Sequence, residues 1–302
     1  MKRIYCRSIV FAVAVAVCLC VFTGCMPQEM PEGTGDFYFQ DRAGLWHKPI
    51  HIWYHRPAGL ANDAPIVFVM HGMRRNAAGY REPWIPLAEQ YGFVLVAPQF
   101  SDFFYPTGLS YNLGGVTNGL GQFISESKWT FSAVEHIFDE VKGLTGNTSE
   151  TYYLYGHSAG GQFVHRVVLL KPDARIERAV AANAGWYTMP AFDIAWPYGL
   201  KRTPVTAESL AISFQMPMTI LLGEQDTNTE DPQLSHTPGA MAQGPHRLAR
   251  GQAFCAEAEL EAERLGTPLG WDLETVPGVG HSNGGMAPAA ARAFFEDRTT
   301  TP

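Results

Sequence analysis

Apolar positions along the chain follow two rhythms. Residues 36–40 and 49–55 alternate, the second as I-H-I-W-Y-H, and predict two early strands. Residues 65–70, P-I-V-F-V-M, and 93–97, F-V-L-V-A, are continuous apolar runs. Further short runs cover 151–155, 178–182, 218–222 and Trp271–Val276. Between them the spacing turns helical. Phe131, Val134, Ile137, Phe138 and Val141 fall on one face of a helix over 129–141. Helices are also predicted over 162–170, over Arg247–Leu265 with Gly266 as the stop, and over 288–295. Strands apolar on both faces, each followed by a helix, predict an α/β fold built on a buried, mostly parallel central sheet with helices on both faces. Two long stretches, 101–128 and 186–213, carry no regular signal, and long excursions of that kind are often functional.

The N-terminus follows a different pattern. Lys2, Arg3 and Arg7 precede an unbroken apolar stretch from Ile9 to Phe22. A spanning helix needs about 20 residues, so this shorter run predicts an export signal. It ends in V-F-T-G-C, which resembles a bacterial lipobox with Cys25 as the lipidated residue. A plain cleaved signal or an uncleaved anchor is the competing reading. The expected division is a signal peptide over 1–24, a Pro- and Gly-containing tether over 25–36, and one catalytic domain over 37–302. With Met26 after the cysteine, the resemblance implies sorting to an outer membrane where the host has one. The expected location is the cell envelope, lipid-anchored or periplasmic.

Composition narrows the partners. The chain has 302 residues, 46% of them apolar and 17% charged, with a formal net charge of −7. There is no basic run after the N-terminus, so nucleic acid is an unsuitable partner. Of five cysteines four lie within the first 25 residues and only Cys255 remains for the folded body, so no intramolecular disulfide is expected. His47, His51 and His55 recur every four residues. On a strand that spacing separates them by about 13 Å, too far to share one ion, so no metal site is expected.

Chemistry concentrates at L-Y-G-H-S-A-G-G-Q, residues 154–162. A strand that stops at Gly156 and a helix that starts near Ala159 must reverse within three residues. Side chains on the flanks would collide, hence Gly156 and Gly160. The corner lifts the hydroxyl of Ser158 clear of the sheet, at the positive end of the next helix. G-H-S-A-G is thus a G-x-S-x-G nucleophile elbow in its strand-to-helix context. Serine needs a base, and the base needs an orienting carboxylate. Asp226 lies just past the strand at 218–222, and His281 lies between the last strand and the last helix, giving the chain order Ser, acid, His. Asp231 is the rival acid. The oxyanion donors are expected to be the main-chain amides of Ala159 and of Met73 in H-G-M.

The pieces V-M-H-G-M, V-A-P-Q-F, L-Y-G-H-S-A-G-G-Q, L-L-G-E-Q-D-T-N and V-P-G-V-G-H-S span residues 69–282. They resemble an α/β-hydrolase of the polyhydroxybutyrate-depolymerase-like and feruloyl-esterase-like group. The resemblance implies hydrolysis of a small-molecule or polymeric carboxylic ester through an acyl-enzyme on Ser158, with no cofactor. Phe103, Trp186, Tyr187 and Trp196 fall in loops after strands and are expected to wall an aromatic substrate cleft; packing of those loops onto the sheet is the bland alternative. A serine peptidase on the same fold and a non-catalytic binding lipoprotein are the competing functions.

Overall fold

The structure, a computed structural model, describes residues 29–296. Cys25 and the signal segment 1–24 lie outside the described residues. In chain order the elements are β1 (Gly33–Phe39), β2 (Ile50–Arg56), β3 (Ile66–Met70), α1 (Ala77–Arg81), α2 (Ile85–Tyr91), β4 (Val94–Gln99), α3 (Thr130–Thr145), β5 (Tyr152–His157), α4 (Ala159–Leu170), β6 (Ile176–Ala182), α5 (Ala207–Gln215), β7 (Met218–Gly223), α6 (Pro238–Met241), α7 (Arg247–Leu265), β8 (Trp271–Val276) and α8 (Asn283–Phe295). The strands form one sheet in the order β1-β2-β4-β3-β5-β6-β7-β8. β1–β2 and β2–β4 pair antiparallel, and every later pair is parallel.

The period of two along each strand decides which core a side chain enters. On β3, Ile66, Phe68 and Met70 join one apolar cluster, while Val67 and Val69 join the other. β4 and β7 split the same way: Val94, Val96, Ile220 and Leu222 on one side, Leu95, Ala97 and Leu221 on the other. The first cluster is covered by α3, α4, α5 and α7 through residues such as Phe138, Phe163, Phe214 and Phe254. The second is covered by Ala77, Ala88 and the alanine-rich face of α8. Each fully buried Val, Leu or Phe contributes roughly 1.5–3 kcal/mol relative to exposure. A run apolar on both faces therefore specifies an interior strand, and the sheet is held from both sides.

Several boundaries differ from the sequence reading, each for a local reason. β1 begins at Gly33, and Met30 is already 1% exposed in the core, so the end of the expected tether is part of the folded body. There Arg56 Nη1 donates to the Met30 carbonyl at 2.9 Å. α1 and α2 were not expected; Pro83 and Pro86 break the pattern, yet proline is tolerated in the first turn of a helix. α5 starts inside the stretch expected to be irregular, at a capping box between Thr206 and Ser209. α8 begins at Asn283, not at Pro288, because the Ser282 side chain caps it by accepting from the Gly285 amide.

Candidate active site

β5 ends at His157 and α4 begins at Ala159, which leaves Ser158 alone to make the turn. Its backbone sits at φ 61° and ψ −116°, a conformation that costs on the order of 1–3 kcal/mol. The surroundings enforce it. A Cβ on Gly156 would overlap the Gly160 carbonyl, and one on Gly160 would overlap the Met70 carbonyl. A Cβ on Gly161 would stand 2.6 Å from the Ala182 carbonyl oxygen. These glycines let α4 lie directly on the main chain of β3, β5 and β6. The Ser158 amide donates to Ala182 O at 2.9 Å, and its carbonyl accepts from Gln162 at 3.0 Å. The corner is thereby clamped from both sides.

Three loops at the C-terminal edge of the sheet then converge. Asp226 follows β7 and is 2% exposed. His281 lies between β8 and α8. The His281 Nδ1 to Asp226 Oδ2 distance is 2.7 Å, and the Nε2 to Ser158 Oγ distance is 3.0 Å. An ionised carboxylate only accepts, so the Nδ1 proton goes to Asp226 and the Nε2 lone pair faces the serine hydroxyl, which donates. The second Asp226 oxygen is 3.3 Å from Arg247 Nη1, which also donates to Asp231 Oδ2 at 2.8 Å. Burial raises the Asp231 pKa, but the Gln233 amide and Arg247 outweigh it and hold the group below the ordinary value. The imidazole of Asp226's partner packs against a second ring: His157 and His281 centroids are 4.6 Å apart. Burial, with the nearby His281 and Arg247, keeps His157 well below the usual histidine pKa and hence neutral.

The cleft at Ser158 has a volume of about 660 Å³ and is lined mainly by polar groups, among them Arg74, Asn76, Asn228, Gln233 and Asn283. Met73 lines it too, with its side chain exposed. A Cβ on the neighbouring Gly72 would lie 3.7 Å from Ser158 Cβ, so the loop after β3 runs beside the serine. A larger cavity of about 910 Å³ lies elsewhere, between the 38–43 segment and α3, and holds neither serine nor a cysteine.

The expected aromatic wall is not there. Tyr187 is fully buried, stacked on Phe254 at 4.6 Å, and belongs to the core. Trp186 packs on Tyr198 at 4.6 Å and beneath the Arg166 guanidinium at 4.2 Å. Trp196 contacts Phe123 at 5.8 Å, and Phe103, 85% exposed, packs edge-on against Phe104. None of the four lines the cleft at Ser158. These aromatics pack the long excursions onto themselves and onto the sheet, and periodicity alone does not distinguish that role from a substrate wall.

Four other histidines are engaged by other partners. His71 Nε2 accepts from the Phe100 amide at 3.1 Å, with Nδ1 2.9 Å from Gly72 O. His165 Nε2 accepts from the Thr188 amide at 3.0 Å. His51 and His55 pair with Asp36 and Glu89 respectively, each at 2.7 Å. Asp231, the rival acid, reaches Arg247 and not the imidazole, and the nearby Glu224 accepts from Thr275 Oγ1 at 2.9 Å. Sequence reasoning missed Arg247, which bridges Asp226 and Asp231, and Tyr80 and Asn283, which line the cleft. One available signal was a cation at the first position of α7, where the helix dipole disfavours it.

No protein-family model matches the chain, and no curated protein matches it either. Solved structures do. Poly(aspartic acid) hydrolase-1 from Sphingomonas sp. KT-1 is 46% identical, with a TM-score of 0.85 over 87% of this chain and 98% of that one. LpqC, a poly(3-hydroxybutyrate) depolymerase from Bordetella parapertussis, is 38% identical, with a TM-score of 0.83 over 88% of this chain and 91% of that one. An S-formylglutathione hydrolase from Agrobacterium tumefaciens shares the fold at 15% identity and a TM-score of 0.55, covering 89% and 96%. The chain belongs to the α/β-hydrolase family of these depolymerases and esterases, and by class it is a carboxylic ester hydrolase.

Proposed function

We propose that the protein cleaves esters through an acyl-enzyme on Ser158, with His281 as base and then acid and Asp226 as its orienting carboxylate. The observation that carries this is the unbroken chain from Ser158 Oγ to His281 Nε2 at 3.0 Å and from His281 Nδ1 to Asp226 at 2.7 Å. Ser158 Oγ attacks the acyl carbon as its proton passes to His281 Nε2. The imidazolium that forms is stabilised by Asp226. The carbonyl oxygen becomes an oxyanion facing the amides of Ala159 and Met73. The Ala159 amide opens α4, where a helix has no internal acceptor for it. One such donor is worth about 3 kcal/mol of transition-state stabilisation. Collapse expels the alcohol, protonated by His281, and water repeats the sequence to release the acid. The chemistry calls on side chains and amides of the chain and on no cofactor.

The polar lining of the cleft supports substrates whose acyl or alcohol part carries hydrogen-bonding groups, polymeric or small. Of the two similar structures, one is named for a polyester and the other for poly(aspartic acid), a polymer joined by amide bonds. The higher identity to the latter favours amide cleavage as the second reading. The test is turnover of short-chain, long-chain and feruloyl esters, of poly(3-hydroxybutyrate) and of poly(aspartic acid), by wild type and Ser158→Ala. Ester turnover lost in the variant is expected. Faster cleavage of the polyamide than of every ester selects the second reading, and a fully active Ser158→Ala overturns both.

Export and lipid anchoring through Cys25 belong to the same proposal, supported by the basic, apolar and V-F-T-G-C order of the first 25 residues. Fatty-acid labelling of wild type but not of Cys25→Ser is the expected result.

A further inference from the structure

Arg247 is a costly residue where it stands. It is the first residue of α7, where the helix end already carries partial positive charge. Its side chain is buried, and among the described residues its Nε has no hydrogen-bond partner. What it does contact is two carboxylates through one nitrogen, Asp226 Oδ1 at 3.3 Å and Asp231 Oδ2 at 2.8 Å. The shorter contact is to Asp231, which reaches the cleft wall, whereas Asp226 is enclosed. Helix stability and apolar packing both disfavour a guanidinium here, so charge is what the position supplies.

We infer that Arg247 and Asp231 act together as positioning residues that set the charge felt by the Asp226–His281 pair. This rests on the hydrolytic reading above. Arg247 offsets part of the Asp226 charge and fixes its carboxylate plane, so Oδ2 alone is presented to His281. Asp231 holds the guanidinium back from neutralising Asp226 fully. The two act on His281 with opposite sign: the cation lowers its affinity for a proton, and the second carboxylate raises it. The other titratable groups facing this imidazole are Asp226 itself, the neutral His157 from β5 and, across the cleft, Arg74 and Tyr80 from the β3–α1 region. Burial raises the Tyr80 pKa to about 12, so it stays neutral over the working range.

The pH dependence of kcat/KM on a small ester tests this, because its ascending limb reports the free-enzyme histidine. Arg247→Met is expected to move that limb to higher pH, and Asp231→Asn to lower pH, each by about 0.5 unit or more. Arg247→Lys keeps the charge and is expected to leave the limb near that of wild type. A purely structural role does not produce shifts of opposite sign. An unmoved limb in Asp231→Asn, or shifts of one sign in both variants, overturns the inference. If Arg247→Met does not fold, the partly exposed Asp231→Asn decides alone. Should wild type turn over no ester or amide, the hydrolytic reading fails first. An NMR titration of the His281 ring in wild type and Asp231→Asn then reads the same charge effect without turnover, and equal titration midpoints overturn it.

Discussion

Gly160, in the first turn of α4, lies against Met70 at the end of β3 so closely that a Cβ would overlap the Met70 carbonyl oxygen. The serine corner is therefore set by contact between two main chains, with no side chain to give way. Gly160→Ala must push α4 off the sheet and carry Ser158 with it. We expect a loss of about 1–3 kcal/mol in stability and of about 100-fold or more in turnover, since a displacement near 1 Å costs that much. Chemical unfolding read beside ester kinetics checks both. An alanine variant with wild-type kinetics would show that the corner tolerates the shift.

Asp226→Asn should separate geometry from charge. The amide can still lie between His281 and Arg247, but it favours the wrong imidazole tautomer. A fall in kcat of about 10⁴-fold with near wild-type unfolding is expected. Met73→Ala, in contrast, removes a side chain while leaving the amide that would face the oxyanion, so its effect on kcat is expected to be small. A severe kcat loss in Met73→Ala would move the oxyanion donor elsewhere in the loop.

Acid should weaken the fold before carboxylates titrate. Burial lowers the His71 pKa to about 3, and holds His157 and His165 well below the usual value. In the unfolded chain each titrates near 6.5. Between those values the unfolded state binds protons that the folded state refuses, so stability falls as pH drops below about 6.5. Each such histidine contributes up to about 1.4 kcal/mol per pH unit. Unfolding free energies at pH 7.5, 6 and 5 measure the slope, and His71→Gln should reduce it. Stability that stays level from pH 7 to 5 contradicts the buried neutral histidines.

Cys255 lies on the buried face of α7, and burial raises its thiol pKa to about 12. Thiolate is the reactive form. In protein lacking residues 1–25, an aromatic disulfide reagent should leave the native state unlabelled and titrate one thiol after unfolding. Rapid labelling of the native protein would place the sulfur at the surface.

The strand-and-helix alternation, the sheet buried on both faces and the serine corner were all legible in the sequence. Each is a short-range pattern: a two-residue or 3.6-residue period, or a bend that only glycine neighbours permit. The pairing of Ser158 with Asp226 and His281 was legible as well, through chain order and the position of each residue just past a strand. Their separations of 2.7 and 3.0 Å were not.

What depended on the tertiary structure was everything that long excursions decide. Phe103, Trp186, Tyr187 and Trp196 carry the same apolar signal whether they wall a cleft or pack elsewhere, and only three-dimensional packing left them out of the cleft lining. The polar cleft and the Arg247 link between Asp226 and Asp231 join residues from separate loops and from the start of α7. No local pattern records such a meeting, because it is created when the sheet brings strand ends together. Sequence alone thus determined the scaffold and the serine corner, which are properties of neighbours along the chain. The shape and charge of the cleft were decided by neighbours in space.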